Sequence, residues 1–184
     1  MTSIDPSADF ADECQLQTTP ENSRAWWFLG SLVVLRNPEG APRVPAVIEM
    51  TFPPGGVAPL HVHARLNDDF YLLEGEMAVR SGERTLVARP GNYVSLPHGV
   101  AYTTRVTSDG PTKVLLVHNA DNFLSLIERS APIAEELRLP EEGEGTLDMD
   151  LLMKLSVELE TPIIGPPMDE DEARAIVRQN PAVS

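Results

Sequence analysis

Gly55-Gly56-Val57-Ala58-Pro59-Leu60-His61-Val62-His63 leads through Ala64-Arg65-Leu66 into Asn67-Asp68-Asp69-Phe70-Tyr71-Leu72-Leu73-Glu74-Gly75. Along a strand the side chains alternate, so His61 and His63 share one face. A carboxylate, Asp68, follows a few residues on. Two imidazoles and one carboxylate on a common face hold a divalent first-row metal and leave positions open for chemistry.

Outward from this run, the chain from Ala25 reads as short β-type segments separated by turn signals at intervals of roughly 8–12 residues. That is the pattern of an all-β sandwich or barrel. Strands are expected over 26–35, 46–52, 60–63, 69–73, 76–81, 84–87, 93–96, 101–106 and 113–118. Turns such as Pro53-Pro54-Gly55-Gly56, Ser81-Gly82-Glu83 and Pro97-His98-Gly99 lie between them. After Asn119 the apolar spacing becomes helical, with Phe123, Leu124, Ile127 and, past Pro132, Leu137 forming a stripe. Further helices are expected over 148–159 and 169–179, both with acids early, which suits the helix dipole. Three regions result: a polar arm over 1–23, a barrel over 24–120 and an acidic, helical extension over 121–184.

The 28 acidic and 14 basic residues give a net charge of −14. The segment 22–134 is neutral, with ten of each sign, so the acidity belongs to the two ends. This balance argues against nucleic acid or an anionic membrane as partner. The single cysteine, Cys14, excludes an internal disulfide and fits a reducing compartment. It has no basic neighbour to activate it as a nucleophile. No apolar run reaches spanning length and no signal pattern opens the chain, so a cytoplasmic protein is expected. Gly55-Gly56 is no phosphate loop, since no Lys-Ser/Thr follows, and there is no Gly-x-Ser-x-Gly elbow.

The spacing from Gly55 through His61-x-His63 and Asp68 to Gly75 is similar to the first cupin motif. Gly91, Pro97-x-Gly99 and Tyr102 resemble the second. Trp27-Phe28-Leu29-Gly30, Phe70–Gly75 and Ile163-Ile164-Gly165-Pro166-Pro167 extend the resemblance, over roughly residues 25–168, to the quercetinase-like single-domain cupins. The resemblance implies an all-β, double-stranded β-helix (jelly-roll) barrel carrying C-terminal helices, with metal ligands converging in its mouth. That family typically uses His, His, Glu and His, which fall here on His61, His63, Asp68 and Tyr102. Two positions depart. Asp for Glu shortens the reach by roughly 1.5 Å. A phenol, with a reference pKa of about 10, binds well only as phenolate and favours a hard trivalent ion.

Three arrangements stay open at this point. A metal sits on His61, His63 and Asp68 with Tyr102 beside it as proton donor; or the metal is lost and the four residues form an acid–base pocket; or Tyr102 is a true ligand. The resemblance implies a dioxygenase using one divalent metal (Fe, Mn, Ni, Co, Cu or Zn) on a phenolic, flavonoid or aromatic polyketide substrate. Asp68 would serve as ligand and base. The alternative is a metal-free cupin that binds, isomerises or cyclises a small molecule, and a third reading is a binding protein without chemistry. Trp27, Phe28, Glu49 and Tyr71 are expected around the pocket. Asp69 is expected to face outward, paired with a base such as Arg65, and His98 to lie on the surface. His118 ends a strand whose inward face is open. Runs such as Trp26–Leu29 suit sheet-edge pairing, and a homodimer is expected.

Overall fold

The computed structural model describes residues 17–181. Cys14 and most of the expected N-terminal arm lie outside the described residues. The chain forms β1 (Arg24–Phe28), β2 (Ser31–Leu35), β3 (Ala46–Phe52), β4 (Val57–His61), β5 (Asp68–Glu74), β6 (Met77–Ser81), β7 (Arg84–Ala88), β8 (Tyr93–Leu96), β9 (Tyr102–Val106) and β10 (Thr112–His118). Then come α1 (Asn122–Ser130), α2 (Met149–Glu158), β11 (Ile163–Gly165) and α3 (Glu170–Gln179). Two antiparallel sheets face each other, ordered β1-β2-β3-β10-β5-β8 and β11-β4-β9-β6-β7. This is the jelly-roll architecture expected from the cupin spacing.

Alternation along each strand builds the interior. On β3, Ala46, Ile48, Met50 and Phe52 are buried while Val47, Glu49 and Thr51 are partly exposed. Ile48, Leu72, Met77 and Val79 are sealed between the sheets, and Leu124 and Ile127 of α1 join the same core with Leu152 and Leu155 of α2. A smaller cluster of Trp27, Leu32, Val34, Ala134 and Leu139 covers the outside of β1 and β2. A third, of Ala78, Val87, Met168, Ala173 and Ile176, seats α3 on β6 and β7.

Several sequence readings change. The run 26–35 is two strands, folded back at Leu29-Gly30, where Phe28 pairs with Ser31. Both turn residues have positive φ, 49° and 77°. That is the geometry of a two-residue hairpin turn matched to strand twist. The turn hid inside an apolar run because leucine holds its first position. β4 begins at Val57 and ends at His61. Beyond it the chain runs beside a different partner, with Val62 N donating to Pro162 O (3.2 Å) and Ala64 N to Glu160 O (3.0 Å). Leu137 belongs to no helix, since α1 stops before Pro132, whose ring would clash with the preceding turn. Both later helices are capped as their early acids suggest: Asp148 accepts from Leu151 N and Asp169 from Glu172 N.

The extension from residue 121 is not helical throughout. It returns β11 to the barrel, where Ile163 pairs with His61 of β4. It also closes the β1 edge: Trp27 N donates to Pro132 O (3.1 Å) and Ala134 N to Ala25 O (2.9 Å). The edge proposed for dimer pairing is therefore occupied by the chain itself.

Candidate metal centre

Register brings the site together. His61 at the end of β4 pairs with Tyr102 at the start of β9, and their rings lie 4.2 Å apart. His63 comes two residues later, its carbonyl held by Gly99 N (2.8 Å), which ties it to the Pro97-x-Gly99 turn. Asp68 opens β5, and Phe70 and Leu72 follow it inward by alternation. On β10, Val114 pairs with Leu72 and Leu116 with Phe70, so the next inward step places His118 beside Asp68.

His61, His63 and Asp68 each present a ligand atom, and these atoms lie within 4.8 Å of one another. His61 Nδ1–H donates to Pro59 O at 2.7 Å, which leaves Nε2 bare and facing the group. Asp68 has a donor on each oxygen, Tyr102 O–H on Oδ2 and His118 Nε2–H on Oδ1 at 2.6 Å, which leaves a lone pair on each. Tyr102 Oη also lies 3.3 Å from His63 Nε2. His118 is wholly buried and Tyr102 is 4% exposed.

The electrostatics follow from this packing. Burial alone would raise Asp68, but His118, His63 and the Tyr102 hydroxyl hold it well below the usual carboxylate range. Burial, with the Asp68 charge and hydrogen bond, pushes Tyr102 far up, so it stays a protonated donor and makes a poor phenolate ligand. Burial pulls His63 down to about 4 and lowers His61 too, keeping both imidazoles neutral, the form a metal binds.

The donor set fits a metal. Bonds of about 2.0–2.2 Å set neighbouring ligand atoms about 3.0–3.5 Å apart, so a group whose ligand atoms already lie within 4.8 Å of one another needs only to draw in around the ion. His63 Nδ1 and His118 Nδ1 are buried polar atoms with no partner among the described residues. Orphans of this kind are what a bound ion or water resolves. The carboxylate's hydrogen bonds from Tyr102 and His118 are the outer-shell support that ligating carboxylates carry.

Above this cluster lies a pocket of about 90 Å³ between the sheets, walled by Phe28, Met50, Phe52, Phe70, Phe123 and Ile163. Of the residues expected around it, Phe28 is there and three are not. Trp27 points the other way into the outer cluster, where its Nε1 donates to Arg138 O (2.9 Å) under the Arg138 guanidinium. Glu49 faces out of β3 and pairs with Arg36 (3.0 Å) and Lys113 (3.7 Å). Tyr71 alternates to the outer face and is 42% exposed. Asp69 faces outward as expected, but its partner is Ser95, while Arg65 pairs with Glu160 (2.7 Å). His98 is an exposed turn residue.

Sequence reasoning left His118 undecided and gave Phe123 only a place in a helical stripe. The pairing of β10 with β5 settles the first. The second had no local signal, because nothing in the sequence says that α1 folds back over the barrel.

Residues 48–118 match the family model described as a cupin domain. This segment, rather under half of the chain, is similar to a cupin domain and folds as the jelly roll described above. No curated protein matches the chain. Among solved structures, KdgF from Halomonas sp. shares 14% identity, with 60% of this chain and 97% of that one covered and a TM-score of 0.50. An RmlC-like cupin from Shewanella frigidimarina shares 17%, covering 59% and 96%, with a TM-score of 0.49. The oxalate decarboxylase of Lactobacillus farciminis, in a formate complex, shares 17%, covering 54% and 31%, with a TM-score of 0.45. The chain thus spans about a third of the decarboxylase's length. At these identities the likeness is one of fold. No helix among the described residues is long and apolar enough to cross a membrane.

Proposed function

We propose that this cupin is a metal-dependent oxygenase acting on a small substrate that carries an enolic or phenolic hydroxyl. The observation behind the proposal is the His61, His63 and Asp68 group at the base of an apolar pocket. A divalent metal on this triad would supply open positions for a substrate oxygen and for dioxygen. The chain's own residues do the rest. Neutral His61 and His63 anchor, and Asp68 adds the negative charge that balances the ion. The apolar wall admits the hydrocarbon part of the substrate and excludes water. Tyr102 keeps its proton and donates it to the carboxylate, so its oxygen is left to accept from a hydroxyl of the bound substrate.

The shifts disfavour unaided acid–base catalysis. Efficient proton transfer needs a group that titrates near the working pH. Asp68 and His63 titrate far below neutrality and Tyr102 far above it. One observation favours the metal-free reading all the same: both oxygens of Asp68 already have donors.

Metal content separates the two. Protein purified without a metal-binding tag is expected to carry close to one equivalent of Mn, Fe, Co, Ni, Cu or Zn, lost in the His61→Ala/His63→Ala variant. Less than about a tenth of an equivalent, with no gain on reconstitution, would sink the oxygenase reading. Oxygen uptake with small phenols and enols then tests the chemistry.

A further inference from the structure

The pocket has a wall that belongs to neither sheet. α1 lies across the barrel, and Phe123 and Leu126 face inward from it. The Phe123 ring stacks on His118, with centroids 5.1 Å apart and an interplanar angle of 29°. It stands edge-on to Phe28 at 6.1 Å and lies 6.1 Å from the His63 ring. It therefore touches the metal-site cluster on one side and the apolar barrel wall on the other.

This wall is fastened down. Leu124 and Ile127 are wholly buried against the core and α2. Arg43 binds Asp121 (2.8 Å) and Glu128 (2.7 Å), Arg24 also reaches Glu128 (3.1 Å), and Asn122 Nδ2 donates to Leu159 O (3.2 Å). These ties run to the β2–β3 loop, to β1 and to the end of α2, so the helix that carries Phe123 is held from three directions.

The volume decides what can enter. Pockets for drug-sized ligands run from about 300 to 1,000 Å³, and a cavity of about 150 Å³ takes a benzene molecule. At about 90 Å³ this pocket is smaller than either. With His61, His63 and Asp68 at its base, its enclosed part holds at most about one six-membered ring. The enclosed part of the pocket is too small for a three-ring flavonoid with Phe123 in place.

We infer that Phe123 is the specificity-determining residue of this pocket, restricting it to substrates no larger than a single ring or a short enolisable chain. The inference rests on the proposed small-molecule function and narrows its substrate class. Truncating Phe123 roughly doubles the space.

The test uses binding, with the full chain stripped of metal by a chelator and calorimetry as readout. Phenol and 2-naphthol serve as one-ring and two-ring probes. The unaltered protein is expected to bind phenol and to bind 2-naphthol at least tenfold more weakly. Phe123→Ala, and Phe123→Leu should the alanine variant fold poorly by circular dichroism, are expected to gain tenfold or more for 2-naphthol. Equal binding of both probes by the unaltered protein, no binding of phenol, or folded variants that gain nothing for 2-naphthol would each overturn the inference. Size selection that survives while metal content and oxygen uptake are absent would remove the oxygenase reading and leave the role of Phe123 standing.

Discussion

At the scale of single residues, the site turns on Asp68. It is a buried charge held by two donors, and His118 is the closer fit to a positioning residue than to a ligand, because its Nε2 is spent on the carboxylate. Removing one partner of a buried charged contact leaves the other uncompensated. His118→Leu is expected to cost about 3 kcal/mol of stability, read from the urea midpoint, and to lower metal affinity by calorimetry. His118→Gln, which restores a donor, is expected to recover part of both. A stability loss below about 0.5 kcal/mol would show that the contact does not hold Asp68. The histidine pair and the carboxylate were legible in the sequence because a period-two pattern places side chains on faces. His118 needed knowledge of which strands pair, and the outward turn of Glu49 and Tyr71 depended on which face of β3 and β5 meets the core. No local pattern carries that information.

At the scale of elements, the motif glycines have defined jobs. Gly75 has φ of 83° and sits against Thr112, whose Cα would be 2.8 Å from an added Cβ. It links β5 to β6 and lets β10 start alongside. Gly75→Ala meets both a strained backbone and a close neighbour, so a loss of at least about 2 kcal/mol is expected in chemical denaturation. A neutral result would mean that the β5–β6 turn can re-form elsewhere. Strand existence was readable almost throughout, since turn residues bracket most runs. The Leu29-Gly30 hairpin was not, because its first position is filled by an apolar residue that also lines the pocket. The span of β4 was misjudged for a related reason: its partners, β9 and β11, lie far along the chain.

At the scale of the whole molecule, protonation sets the pH response. Folded His63 titrates near 4 against 6.5 when exposed, with His61 displaced in the same direction. Between these values the unfolded chain binds a proton that the folded chain refuses. After chelation, stability is therefore expected to be full above pH 6.5 and to fall, by on the order of 3 kcal/mol, as pH drops toward 4. Asp68, depressed below its usual 3.8, continues the loss at lower pH. Denaturant midpoints that stay level from pH 7 to 4.5 would contradict these protonation states. We also propose a homodimer formed elsewhere than along the β1 edge, and a single-chain mass by light scattering would refute it.

The pairing of Ile163 with His61 joins residues about one hundred positions apart, a long loop to close. During synthesis the segment that carries both histidines emerges well before β11 does. Until β11 has left the ribosome, one margin of the five-stranded sheet and the part of the pocket wall formed by Ile163 are missing. The pocket around this centre is thus closed late in the life of the nascent chain, after every residue of the centre itself has been made.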